Sequence, residues 1–242
     1  MTKYKQEFFS DMHARTVYAA REVLGITLEV VPGVKSAVDV GCGVGTWLAV
    51  LSDRGVDDIF GIDGDWVDRK LLEIPGDRFA AKDLTKPFDA ARRFDLALSL
   101  EVAEHLPESA AGDFVESLTD LSDRVLFSAA IPFQGGTHHL NERWVEYWID
   151  LFEARGFKAF DPVRHRIWHD DNIRLCYRQN VLLFVRGSAV ESLNLGPADR
   201  AARPHSMVHP DMYLKRIAKR RSVRQFVKRW RESRGGTKAK GD

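Results

Sequence analysis

The sequence predicts an α/β fold: a mostly parallel sheet with helices on both faces, followed by a basic helical extension. Three observations carry this. Short apolar runs alternate with stretches of helical period, the pattern of strands joined by crossover helices. Several runs are almost continuously apolar, as in strands covered on both faces. The first run ends in a glycine-punctuated turn that opens directly into a helix.

Residues 11–24 (DMHARTVYAAREVL) set Met12, Val17, Tyr18, Ala20, Val23 and Leu24 at helical spacing, and Pro32-Gly33 breaks the chain after them. Residues 1–34 thus form an N-terminal helical unit. Its Tyr4, Phe8, Phe9 and Met12 serve either as a lid over the site that follows or as the core of a first helix. Strands are predicted at residues 37–40, 58–62, 78–81, 94–100, 124–130, 158–163 and 181–186. Helices are predicted between them at residues 47–54, 66–72, 108–122 and 142–155. Asn141 is a plausible cap for the last of these, and Gly156 follows it as a C-terminal glycine does. Residues 164–180 show no clear helical period, so the last two strands could pair antiparallel. Residues 35–186 then form one domain. Residues 187–211, rich in Gly, Pro and Ser, read as a linker, and residues 212–242 as a tail.

At 242 residues, 44% hydrophobic and 29% charged, the composition is that of a globular domain. It excludes a collagen, a coiled coil or a wholly disordered chain. No apolar run approaches the ~18 residues a spanning helix needs, and the first residues lack the apolar stretch of a secretory signal. Cys42 and Cys176 are too few for a disulfide framework or a cysteine zinc site. A cytoplasmic location is expected. The net charge of +1 hides an asymmetry: residues 1–211 hold 24 Lys+Arg against 33 Asp+Glu, and residues 212–242 hold 12 against 2.

The first strand and its turn read AVDVGCGVGT, with glycines at 41, 43 and 45. Such a turn allows close backbone approach to a ligand and aims helix N-terminal amides at an anionic end. Its G-x-G-x-G spacing is neither the dinucleotide fingerprint nor a P-loop. Asp63 closes the second strand, where a carboxylate can accept both hydroxyls of a ribose. Asp83 follows the third strand and could accept from an adenine amino group, with Leu84 against the ring. Either aspartate alone is as well explained as a turn or cap residue. In order, at the C-terminal ends of parallel strands, they form a ligand-binding series.

On Val38-Asp39-Val40-Gly41-Cys42-Gly43-Val44-Gly45, Gly61-Ile62-Asp63, Lys82-Asp83-Leu84 and the segment from Phe94-Asp95 to His105, the sequence resembles the class I S-adenosylmethionine-dependent methyltransferases. The resemblance covers roughly residues 35–186. It implies a Rossmann-like seven-stranded sheet with one antiparallel strand, and S-adenosylmethionine as cofactor with S-adenosylhomocysteine as product. It places Asp39 and the glycine loop with Cys42 at the methionine part, Asp63 at the ribose and Asp83 at the adenine. Gly64, Leu84 and Leu100 complete the expected cofactor-binding set.

The fourth strand runs into Glu101-Val102-Ala103-Glu104-His105, where methyl and acceptor should meet. A similar E-x-x-E-H is architectural in many relatives. In small-RNA 2′-O-methyltransferases and ubiquinone-pathway enzymes it supplies metal ligands. Glu101, Glu104, His105 and His139 could therefore hold a divalent metal, which is not the favoured reading. The loop after strand five carries His138 and His139. The run His139-Leu140-Asn141-Glu142, with Trp144 and Trp148, resembles bacterial tailoring methyltransferases and makes His139 the expected general base, with Glu101 and His105 beside it; the alternative is a His that only hydrogen-bonds the loop. Arg164, Arg166, Arg174 and Arg178, with Trp168 and Tyr177, either face a sugar-like or anionic acceptor or decorate a solvated hairpin.

In the tail, Leu214, Ile217 and Ala218 share one helical face, and Val223, Phe226, Val227 and Trp230 nearly the opposite one. Two short amphipathic pieces broken near Ser222 fit best. They could dock on the acidic body, lie on an anionic membrane surface through residues 212–231, or, less favoured, bind nucleic acid. The function expected is methyl transfer to a hydroxyl of a small molecule or glycan. The alternatives are a metal-assisted RNA 2′-O-methyltransferase and a non-catalytic cofactor-binding partner subunit.

Overall fold

The computed structural model describes residues 3–201 and 203–219, with side chains from residue 13 onward, those of 198 and 201 apart. It separates into two units, residues 1–207 and 208–242.

The first unit is built on one seven-stranded sheet. Its strands are β1 (Ser36–Val40), β2 (Asp58–Asp63), β3 (Phe79–Ala81), β4 (Leu96–Leu100), β5 (Arg124–Ser128), β6 (Phe157–Phe160) and β7 (Leu182–Arg186), in the order β3-β2-β1-β4-β5-β7-β6. β7 runs antiparallel to β5 and β6, and the other pairings are parallel. This is the Rossmann-like mixed sheet that the sequence leads one to expect. Strand order reverses between β1 and β4, so the crevice at their C-terminal ends is where a ligand of such a sheet belongs.

Each face is covered as the apolar pattern requires. On one side lie α1 (Lys3–Val30) and α2 (Thr46–Asp53), whose Ala19, Ala20, Val23, Leu24, Leu48 and Leu51 are fully buried in a cluster with Leu96, Leu98 and Leu126 of the sheet. On the other lie α3 (Ala111–Leu121) and α4 (Val145–Glu153). There Phe152 stacks on Phe184 with ring centroids 4.0 Å apart, and Phe127 meets both rings edge-on. Burying such side chains stabilises by about 1.5–3 kcal/mol each, which is why these elements form despite short lengths.

The structure departs from the expected elements in four places. Residues 66–72 are not a helix: only Arg69–Leu71 form a 3₁₀ turn, capped by Asp68. Trp66 and Leu71 are largely exposed there, which leaves Val67 and Leu72 against the core as too narrow a stripe to hold a longer helix. Asn141 does not cap α4. It is buried, its Oδ1 accepts from Arg143 Nε, and the chain stays non-helical to Trp144. Residues 164–180 fold as α5 (Arg164–Ile167) and α6 (Leu175–Asn180). Arg164 is buried and spent on Asp161 and the carbonyls of Gln179 and His205, while Arg178 bonds Asp171 and the Trp168 carbonyl. These two arginines are therefore structural rather than acceptor-facing. Finally, the segment read as a linker holds a 3₁₀ stretch (Gly187–Ser192) with Val190 and Leu193 buried, then α7 (Pro197–Ala201).

In the second unit residues 210–219 are helical. The expected break near Ser222 and the apolar stripe from Val223 to Trp230 lie outside the described residues. So do the side chains of Tyr4, Phe8, Phe9 and Met12.

Candidate functional site

The C-terminal ends of β1 and β4 open into a cleft of about 340 Å³, lined by Asp39, Gly41, Cys42, Gly43, Val44, Thr46, Trp47 and Leu100, with His13 and Thr16 of α1 and Tyr177. The glycine loop is shaped for close approach. Gly41 has φ +82°, and a Cβ there would stand 2.3 Å from a Val102 methyl. At Gly43, φ +55°, a Cβ would meet nothing within 4 Å, so this backbone faces open space. Gly45 begins α2 with φ +88° and no side-chain cap. Cys42 is buried with its sulfur against Gly61, where a Cβ would come within 2.8 Å of it. That packing, with its thiol pushed up by burial, makes Cys42 a wall rather than a nucleophile.

Asp39 is buried at the floor of this cleft. Desolvation first, and the nearby Asp63 charge second, push its carboxyl up to about 8. No hydrogen bond reaches that carboxyl among the described residues. A buried acid of this kind is relieved by a cationic ligand, because an adjacent positive charge restores the ionised form.

A second hollow of about 530 Å³ lies along Gly64, Asp65, Trp66, Ala81, Lys82 and Asp83. Asp63 joins the two. Its Oδ2 accepts from Gly43 N at 2.7 Å and its Oδ1 from Gly64 N at 2.6 Å, and these glycines line the first and second hollow respectively. Asp83 borders the second hollow but is engaged by its own turn: Oδ1 accepts from Thr85 N and Oγ1, and Oδ2 pairs with Lys86. These bonds hold it down at about 2. Leu84 is buried beside it.

Leu100 leads from the first cleft to the acidic segment after β4. Glu101 carries a left-handed φ of +58°, an unfavourable backbone state for a non-glycine residue. Its carboxylate is cradled by amides: Gln134 Nε2 donates to one oxygen at 2.8 Å and Asn180 Nδ2 to the other at 3.0 Å. Glu104 is buried, its Oε2 has no hydrogen-bond partner among the described residues, and burial beside Glu101 pushes it up to about 9. The backbone carbonyl of Glu104 accepts from Leu140 N and Asn141 N, which pins the 131–144 loop over this segment. His139 therefore stands edge-on to His105, ring centroids 4.8 Å apart. Ligand atoms of Glu104, His105 and His139 lie within 4.8 Å of one another. Burial, then the neighbouring His139, hold the His105 imidazole below its ordinary value. His138 is exposed and offers its carbonyl, 3.3 Å from His105 Nδ1.

So the structure gathers Asp39, Gly41, Cys42, Gly43 and Leu100 in one cleft and Gly64 and Asp83 in the next, with Asp63 between, while Gly45 packs against Ile74 at the start of α2 and does not line the cleft. It sets Glu104, His105 and His139 in a third cluster, with Glu101 beside Glu104. The sequence reading passed over Trp66, whose ring covers Gly64 at the second hollow, and over His13 and Thr16 on α1. It also missed Glu142, whose Oε1 is 2.9 Å from His139 Nδ1. An i,i+3 Glu beside a His was the signal available.

A protein-family model described as a methyltransferase domain matches residues 13–163, more than half of the chain. No curated protein matches the sequence significantly. Among solved structures, magnesium protoporphyrin IX methyltransferase (ChlM) from Synechocystis PCC 6803 with bound SAH is similar at 19% identity, over 77% of this chain and 89% of that one, with TM-score 0.51. Streptomyces venezuelae DesVI is similar at 14% identity, over 77% and 100%, with TM-score 0.55. The sugar N-methyltransferase KedS8 from Streptoalloteichus sp ATCC 53650 is similar at 16% identity, over 69% and 86%, with TM-score 0.52. At these identities the solved structures speak for the fold alone; the family match, joined to the sheet order, shows that the chain belongs to the class I S-adenosylmethionine-dependent methyltransferases.

Proposed function

We propose that this methyltransferase acts on a hydroxyl of a small molecule or glycan, with His139 as general base. The observation that supports the cofactor site best is the Asp63 carboxylate, tied to an amide of each hollow, where a ribose would lie between its two flanking groups. Asp39, Gly41, Cys42, Gly43 and Leu100 would hold the methionine end, with buried Asp39 opposite its cationic groups. Gly64, Asp83, Leu84 and Trp66 would border the adenine. Asp83 would contribute through its remaining lone pairs, since its turn occupies the others. When bound, the cofactor supplies an already activated methyl group, so the protein mainly aligns and holds the reactants. His139 takes the proton of the acceptor hydroxyl as its oxygen bonds to the methyl carbon. The electron pair of the breaking carbon–sulfur bond stays on sulfur. The SAH bound in ChlM is in keeping with the cofactor placement; the sugar named for KedS8 is in keeping with a glycan acceptor, though as an N-methyltransferase it does not bear on the choice of a hydroxyl.

Cofactor turnover against pooled sugars, lipids, polyketides and RNA tests the proposal. It stands if a hydroxylated non-RNA pool supports turnover that His139→Asn lowers by ~10²–10⁴. It fails if only amines are methylated, or if His139→Asn turns over like wild type.

A second reading, metal-assisted transfer to an RNA 2′-hydroxyl, is favoured by the juxtaposed Glu104, His105 and His139 and by the unpartnered Glu104 Oε2. One carboxylate and two imidazoles suit Zn²⁺ or Mn²⁺. Metal analysis of the purified protein, and turnover on the RNA pool with and without chelator, separate the two.

A further inference from the structure

We propose that Glu142 is a positioning residue for methyl transfer: it fixes His139 in the tautomer protonated on Nδ1, leaving Nε2 to take the acceptor proton. This rests on His139 being the base.

One carboxylate gathers three donors. Glu142 Oε2 accepts from Phe133 N at 2.7 Å, and Oε1 accepts from Gly135 N at 2.7 Å and lies 2.9 Å from His139 Nδ1. An ionised carboxylate only accepts, so the proton in the third contact belongs to Nδ1. A neutral imidazole has a single N–H, and Nε2 is then its acceptor. The His139 and Glu142 side chains are 12% and 20% exposed, so water competes little for this bond.

The surroundings hold the ring in that pose. Phe133, Gly135 and His138 have φ of +67°, +68° and +59°. Phe and His are rarely left-handed, and such strain persists only where other contacts over-determine it. The two amide bonds to Glu142 supply that constraint at one end of the loop, and the amides of Leu140 and Asn141 on the Glu104 carbonyl supply it at the other. Gly136 lies against the Nε2 edge of the ring: a Cβ there would come within 2.0 Å of Nε2. Only a glycine at 136 lets the ring take this pose. His105 closes a further side, edge-on. Glu142 thus shapes the loop and sets the proton on the same imidazole. Once Nε2 has accepted a proton, the Glu142 carboxylate faces an imidazolium and stabilises it.

The test reads the tautomer directly and needs no acceptor. Long-range ¹H–¹⁵N spectra of ¹⁵N-histidine-labelled protein are recorded across a pH series, and the tautomer is read where the ring carries a single proton. The His139 signals are those lost in His139→Asn. Wild type is expected to show Nδ1 protonated and Nε2 bare, and Glu142→Ala to move the proton to Nε2. A wild-type spectrum with the proton on Nε2 overturns the proposal, even should Glu142→Ala fail to fold. So does persistence of Nδ1–H in a folded Glu142→Ala. With the hydroxylated pool that supports turnover, Glu142→Ala should lower kcat 10- to 100-fold with S-adenosylhomocysteine affinity unchanged. If His139→Asn is inactive while Glu142→Ala is fully active, the positioning role falls and the base survives. If His139→Asn is fully active, the base itself falls.

Discussion

Asp39 ties the site to pH. Its carboxyl, pushed up to about 8 by burial and by Asp63, stands above the ~3.9 of an unfolded chain. Ionising it therefore works against folding, and stability contributed by the protonated form is lost as pH rises from about 4 towards 8. A bound cation reverses the preference. S-adenosylmethionine is expected to bind with proton release near pH 7, seen as a dependence of the calorimetric enthalpy on buffer ionisation. The release should vanish in Asp39→Asn, which should also melt with a flatter pH dependence over this range. Equal proton release in both proteins contradicts this. At this scale the sequence disclosed the residues better than their surroundings. Asp39, Asp63, the glycines and His139 stand in readable motifs. That Asp83 spends its oxygens on Thr85 and Lys86, and that Trp66 turns back over Gly64, depends on side-chain packing that no spacing encodes.

Among the elements, the glycine loop and the 131–144 loop are where single atoms matter. Gly41→Ala would drive a Cβ into Val102 at a backbone angle that L residues rarely adopt. It should destabilise by ~1–3 kcal/mol, seen as a lowered midpoint in urea, and weaken S-adenosylhomocysteine as well. Gly136→Ala meets the His139 ring rather than a strained angle. It should leave cofactor affinity within about twofold while lowering turnover, and a matching loss of affinity would show that the two loops are not separable. The strands were legible because each is a short apolar run bounded by turn residues. β4 begins two residues later than predicted because Asp95 is used to accept from Lys35 N and Ser36 N at the edge of β1. The helix expected at 66–72 fails because Trp66 and Leu71 stay largely exposed, which leaves Val67 and Leu72 as too narrow a stripe to hold it. Helices α5 and α6 were unreadable because they are one to two turns long and rest on buried polar groups, Arg164 and Asn180 among them, rather than on an apolar period.

Across the whole molecule, the chemistry belongs to the acidic first unit, and the basic charge is concentrated in the last 31 residues. Among the described residues no helix is long and apolar enough to cross a membrane. We propose that the basic tail makes a peripheral contact with an anionic surface, in keeping with its Lys, Arg, Phe and Trp content. Removing residues 220–242 should leave S-adenosylhomocysteine affinity unchanged and reduce co-sedimentation with phosphatidylserine vesicles, an effect that 0.5 M salt should mimic. Equal vesicle binding by the truncated protein would exclude this role. The fold, and the residues of the proposed cofactor half of the site, were largely legible beforehand, because both follow from a local motif repeated at the ends of consecutive strands. The proposed acceptor half was not. It is assembled from β4, the 131–144 loop and α6, segments distant in sequence whose contacts appear only once the sheet is built.

The most direct test of the cofactor cleft is a calorimetric titration of S-adenosylhomocysteine into wild type and Asp63→Asn, both shown to be folded by their melting curves. Wild type should bind one equivalent. Asp63→Asn, having lost a charged acceptor worth ~1.5–3 kcal/mol, should bind at least tenfold more weakly. Binding of equal strength in the two proteins would contradict the placement of the ribose between Gly43 and Gly64.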